Sequence, residues 1–140
     1  MILVDVGVWL AAVWARHIHH EVAAGWVDRQ SDDLAFCRVT QTGLLRLLSN
    51  RAVMGADVLE RAAAWDVLDA LTADERVVWR EEPAGLDTLF RAFSARSDDS
   101  HKLWTDDYLA AFAQSSVARL ATLDRRMVER YPSVRVISVQ

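Results

Sequence analysis

Two short apolar runs that each stop on an aspartate do most to limit what this chain can fold into. Ile2-Leu3-Val4 ends at Asp5, and Leu120-Ala121-Thr122-Leu123 ends at Asp124. Runs this brief and this continuously apolar read as parallel strands whose two faces are both covered by helices. Leu34-Ala35-Phe36-Cys37, Val77-Val78-Trp79 and the closing VRVISV have the same character. Helix-permitting stretches separate all five. This alternation predicts an α/β fold of one domain over residues 1–140, with helices on both faces of a mainly parallel sheet.

The intervening stretches have helical spacing. Val8 to Ala15 is one, and HIHHEVAAGWVDRQ predicts a second helix with Val22, Trp26 and Val27 on one side. Thr40 is placed to cap a helix whose stripe is Leu44, Leu47 and Leu48, which sets Gln41 in the first turn just beyond a strand. A long amphipathic stretch runs from Ala56 to Ala70. Pro83 suits the start of a helix carrying Leu86, Leu89, Phe90 and Phe93. Thr105 is the natural cap of TDDYLAAFAQSS, with Asp106 and Asp107 in its first turn, and RRMVERY reads as a short helix after Asp124.

The chain is acidic overall, at −4, which argues against a non-catalytic nucleic-acid-binding module with a broad basic face. Fifteen of its sixteen basic residues are Arg, Lys102 being the exception. Arg suits bidentate phosphate or carboxylate contacts, and a GC-rich genome produces the same skew. Cys37 has no partner for an internal disulfide and sits beside Ala35 and Phe36, as a buried small hydrophobe would. No run reaches the ~18 apolar residues of a membrane span. No basic region precedes the first apolar stretch, so no signal peptide is predicted there. A reducing, cytoplasmic setting is the expectation.

In open α/β sheets, function collects at the carboxyl ends of the strands. Asp5 and Asp124 both close strands, and Asp106 enters from a helix start, so the three are expected to meet at one sheet edge. Taken singly, Asp5 reads equally as a helix cap, and Asp106 and Asp107 as complements to a helix dipole. Three gathered carboxylates repel one another and call for a counter-charge. A donor set of oxygens without Cys favours Mg²⁺ or Mn²⁺ over zinc. His17, His19 and His20 invite a metal reading too, but no Cys or Glu completes that set, and a polar helix start accounts for them.

Taken together, MILVDVGVWL, HIHH, FCRVTQTGLLRLLSN, LWTDDYLAAFA and LATLDRRM resemble the PIN-domain family, specifically its VapC-type toxins. The resemblance covers nearly the whole chain and implies a three-layer α/β/α fold with a mainly parallel sheet. It implies metal-dependent endonucleolytic cleavage of RNA (tRNA, rRNA or mRNA), neutralisation by a small antitoxin protein, and a homodimer. Carried over residue by residue, the acidic positions are Asp5, Asp106 and Asp124, with Asp5 and Asp106 holding Mg²⁺ (or Mn²⁺). Two positions depart from the pattern: Gly7 stands where a polar residue is common, and Gln41 stands where many members have Glu. Gly7 leaves out a polar contact, Gln41 brings no negative charge and lowers the expected metal affinity, and a catalytically impaired PIN domain that binds RNA or a partner without cleaving is the alternative. Arg46, His101, Lys102, Arg125 and Arg126 are the candidates for substrate contacts.

Overall fold

The structure, a computed structural model, describes all residues from 1 to 140. Five strands form one parallel sheet: β1 (Ile2–Val4), β2 (Leu34–Phe36), β3 (Val77–Trp79), β4 (Arg119–Thr122) and β5 (Val136–Ser138). Their spatial order is β3-β2-β1-β4-β5, every neighbouring pair parallel. From β1 the chain first builds outward through β2 and β3. It then returns to the other side of β1 to add β4 and β5. The order therefore reverses between β1 and β4, the position at whose carboxyl ends ligands bind in open α/β sheets.

Eight α-helices cover the sheet: α1 (Val6–Val13), α2 (His20–Asp28), α3 (Arg38–Leu48), α4 (Arg51–Met54), α5 (Arg61–Thr72), α6 (Leu86–Ser94), α7 (Trp104–Ser115) and α8 (Arg126–Arg130). Strand side chains alternate between faces, and the core divides accordingly. Ile2, Val4, Leu34 and Phe36 pack with Trp9, Trp26, Leu44 and Leu68 under α1, α2, α3 and α5. Leu3, Ala35 and Leu120 pack with Leu86, Leu109, Phe112, Met127 and Tyr131 under α6, α7 and α8. Ile2, Leu3, Val4, Leu34 and Ala35 are all fully buried, as strands covered on both faces must be. This is the three-layer α/β/α arrangement expected above.

Several helix boundaries differ from the sequence-based expectation, each for a local reason. The first helix covers Val6–Val13, not Val8–Ala15, because Asp5 ends the strand and acts as the N-cap. The expected helix from His17 is shorter, beginning at His20; a turn holds His17 and His19, and a ring nitrogen of His20 hydrogen-bonds the Ala11 carbonyl at 2.7 Å. The three histidines form no metal-binding group. The helix bearing Gln41 starts at Arg38 with Cys37 as its cap. Thr40, expected as the cap, lies inside it, and its hydroxyl accepts the Cys37 N–H at 3.0 Å. The predicted Ala56–Ala70 helix breaks, because Gly55 and a 3₁₀ turn to Asp57 separate α4 from α5. Gly85, at φ 84°, delays the helix expected from Pro83 until Leu86. Thr105 is likewise not a cap: α7 begins at Trp104, with Leu103 before it.

One glycine is required by close helix approach. A Cβ at Gly43 on α3 would lie 2.8 Å from Val6 Cγ2 on α1, well inside van der Waals contact. Gly43→Ala is expected to lower stability by about 1–3 kcal/mol, the usual cost of overpacking. A urea midpoint measures it, and adding Val6→Ala should recover most of the loss.

Candidate functional site

Asp5 leaves β1 and N-caps α1, and its backbone is pinned to the neighbouring strand by Asp5 N–H donating to the Ala121 carbonyl at 2.9 Å. Thr122, fully buried at the end of β4, donates its hydroxyl to Asp5 Oδ2 at 2.9 Å. The Thr122 hydroxyl oxygen in turn accepts the Asp124 N–H at 3.1 Å. One threonine thus fixes both strand-end aspartates across the β1–β4 switch point. Its role was not legible in the sequence, where it reads as one more strand residue.

Asp106 enters from the first turn of α7, and the three carboxylates sense one another. Burial pushes the Asp5 carboxyl above its usual range, opposed by the Thr122 hydroxyl and the Val6 and Gly7 N–H groups, with Asp124 adding repulsion. Asp106 is pushed up to about 6, first by burial and then by the charge of Asp5, with Arg130 pulling the other way and Asp124 adding to the rise. Asp124 moves down instead, because Arg126 grips it. That grip runs from Arg126 Nε to Oδ1 at 3.1 Å and from Nη2 to Oδ2 at 3.2 Å.

Two arginines of α8 therefore supply positive charge to Asp124 and Asp106. Arg130 Nη1 donates to Asp106 Oδ2 at 3.0 Å, and both side chains are largely buried. Tyr131 donates its hydroxyl to Asp107 directly beside that pair. Consecutive acids of α7 thus take consecutive partners at the end of α8. Asp107 points inward, a helix step around from Asp106, and is engaged structurally. Arg130 escaped sequence reasoning because only the packing of α8 on α7 brings it to Asp106.

The remaining candidates separate. Gln41 is half-buried on α3, and its Oε1 accepts from Arg38, not from any of the three aspartates. Arg38 in turn lies over the Trp79 ring, 4.7 Å from its centroid. Arg46 lines a cavity of about 540 Å³ shared with Val6 and Thr105, the immediate chain neighbours of Asp5 and Asp106. His101 is exposed and lines a second cavity, of about 520 Å³, whose wall includes Asp107 and Arg130. Lys102 is exposed. Arg125 donates to Gln140 Oε1 at 3.1 Å.

The PIN-domain model matches residues 2–132 of this chain, taking in all three aspartates and every strand but the last. The chain belongs to the PIN-domain family. Its VapC character comes from a curated relative, Ribonuclease VapC41 of Mycobacterium tuberculosis, which is 41% identical over 130 residues and 89% covered in both chains. The fold of this PIN domain is shared with solved VapC structures. A Mycobacterium tuberculosis VapC20 crystal structure, titled a sarcin–ricin loop cleaving toxin, superposes with a TM-score of 0.72 at 16% identity, covering 99% of this chain and 98% of that one. A Rickettsia felis VapBC2 structure, bound to a DNA fragment from their promoter, gives 0.71 at 12% identity with both chains fully covered.

The donors of this PIN domain suit a divalent ion in kind. They are carboxylate oxygens, and their mutual repulsion is a charge deficit that a cation relieves. No group of three His, Cys, Asp or Glu side chains stands ready to hold a metal by itself. Mg²⁺ does not require one, since it is commonly held through one or two carboxylates and several waters.

The raised Asp106 carboxyl has a consequence for stability. It holds its proton to about pH 6 in the fold, against an ordinary value of 3.8. Between those values the folded state binds more protons than the unfolded chain, so this group's contribution to stability falls as pH rises. Melting temperatures recorded in EDTA are expected to decline from about pH 4 to about pH 6 relative to Asp106→Asn. Added Mg²⁺ should reverse the trend above pH 6.

Proposed function

We propose that this chain is the toxin of a toxin–antitoxin pair, a divalent-metal-dependent endoribonuclease acting on tRNA, rRNA or mRNA. The observation that carries the reading is the mutual repulsion among Asp5, Asp106 and Asp124 near the β1–β4 switch point, with the Asp106 carboxyl pushed up to about 6 by burial and the charge of Asp5. The kinship with Ribonuclease VapC41 supports the substrate class. We read residues 1–140 as one domain, supported by the single sheet with a core on each face.

In this proposal Asp5 and Asp106 hold Mg²⁺ or Mn²⁺, and Asp124 orients water at the same edge. A divalent ion at that place supplies Lewis acidity toward the scissile phosphate and lowers the pKa of water. Thr122 keeps Asp5 and Asp124 in register, so the carboxylates do not have to reorganise for each turnover. Arg130 balances Asp106 and stands ready to meet a phosphate oxygen, for which a guanidinium is well shaped. Gln41 would offer only a neutral amide oxygen, and only once Arg38 releases it.

A small antitoxin, a second copy of the chain and RNA complete the set of partners in this reading. The VapBC complex among the solved neighbours supports the first. No helix is long and apolar enough to cross a membrane, and we place the protein in the cytoplasm. The test is incubation of the purified chain with total cellular RNA. Discrete fragments in Mg²⁺ or Mn²⁺, absent in EDTA, support the reading.

Gln41, engaged by Arg38, also motivates the second reading of a PIN domain that binds without cutting. Well-folded, antitoxin-free protein that leaves RNA intact, but cuts it after Gln41→Glu, would establish that alternative.

A further inference from the structure

Around the C-terminal half of α3, two cavities meet. One, of about 540 Å³, is lined by Arg46, Ser49, Asn50 and Arg51, and reaches Val6 and Thr105 beside the site aspartates. The other, of about 250 Å³, shares Arg46 and Ser49 and continues to Arg61 and Trp65 on α5. Although the chain carries 20 acidic residues, none of them lines either cavity. Arg46, Arg51 and Arg61 take part in none of the six ion pairs of the fold. Trp65 is 47% exposed at the outer end, one of three exposed indoles in the chain and the one that lines this cavity.

We propose that this groove is the track for single-stranded RNA leading to the cleavage site. The inference rests on the ribonuclease reading above and adds the form of the substrate and the path it takes. Three uncommitted guanidiniums meet the phosphates, while the Trp65 indole gives an unpaired base a face to stack on. A basic groove with an aromatic platform is the arrangement single strands require, because their bases are free to splay outward. An acidic peptide would use the arginines but leaves the indole without a purpose, so RNA is the better occupant. Val6 and Thr105, the chain neighbours of Asp5 and Asp106, line its inner end, so a strand in the groove would run toward the carboxylates.

The experiment uses the full chain carrying Asp5→Asn, so that RNA is bound and not cut. Fluorescence anisotropy follows a labelled, unstructured RNA oligonucleotide and its duplex. Arg51→Gln and Arg61→Gln are each expected to weaken single-strand binding about three- to tenfold and to reduce the slope of log Kd against log salt by about 0.7. Trp65→Ala should weaken single-strand binding at least about fivefold and leave the duplex unaffected. Unchanged single-strand affinity in all three variants would overturn the groove. So would competition by polyglutamate as effective as by RNA, or a Trp65→Ala change in sedimentation with RNA affinity intact. If the same substitutions in the otherwise native chain leave cleavage of total RNA at its full rate, the groove fails and the ribonuclease reading stands. If the native chain neither binds nor cuts RNA, both fail.

Discussion

Asp5→Asn and Asp106→Asn are each expected to lower RNA cleavage on the order of 10²-fold or more, the scale of removing one charge-stabilising group from an active site. Neither should unfold the protein. The Asn amide oxygen can still accept the Thr122 hydroxyl that Asp5 Oδ2 accepts now at 2.9 Å. Both carboxyls sit above their ordinary range in the fold, so ionising them there costs stability. Neutral Asn removes that cost. Activity and stability should therefore move in opposite directions: in EDTA at pH 7, Asp106→Asn melts at or above the wild-type temperature while its cleavage rate collapses. Isothermal titration with Mn²⁺ provides a second readout, in which both variants bind more weakly than wild type. A variant that keeps full cleavage would remove that aspartate from the site.

Trp9→Ala is expected to be the most destabilising single change, at about 3–5 kcal/mol. Trp9 is fully buried on α1 and stacks on Phe36 of β2, with centroids 4.5 Å apart and planes 7° from parallel. Truncation opens a cavity between helix and sheet that neighbours on two rigid elements cannot fill. Against a typical domain stability of about 5–15 kcal/mol, this is a large share. The urea midpoint measures it directly. Trp9→Phe should cost less, because a ring remains on Phe36 and the indole N–H, buried without a partner, is removed. Function follows through α1: the backbone N–H of Trp9 donates to the Asp5 carbonyl at 3.2 Å, so loosening the helix loosens the aspartate's backbone.

Local chemistry was enough to read the strands and to put Asp5 and Asp124 just beyond the carboxyl ends of two of them. Ile2-Leu3-Val4 is too short and too apolar to be anything but a strand buried on both faces, and Asp5 is the residue that must end it. The same reasoning held for Val77–Trp79, whose bounds matched, and for the strand before Asp124, which runs one residue earlier than expected. Helix starts were less legible. Thr40 and Thr105 are good caps by composition, yet Cys37 and Leu103 precede the first helical residues, since the backbone leaving a strand or linker decides where a helix can begin.

Sequence alone determined that strands and helices alternate, that carboxylates close β1 and follow β4, and that α7 begins with acids. Tertiary structure alone decided which side chains meet. The reversal of strand order between β1 and β4 put Thr122 between Asp5 and Asp124. Packing of α8 on α7 delivered Arg130 to Asp106, 24 residues away in the chain. Arg51 on α4 and Arg61 and Trp65 on α5 line neighbouring cavities that share Arg46 and Ser49 only because α3, α4 and α5 pack together. The reason is physical: propensity and periodicity act over a few residues, whereas desolvation and charge pairing depend on distances that exist only after the core has closed.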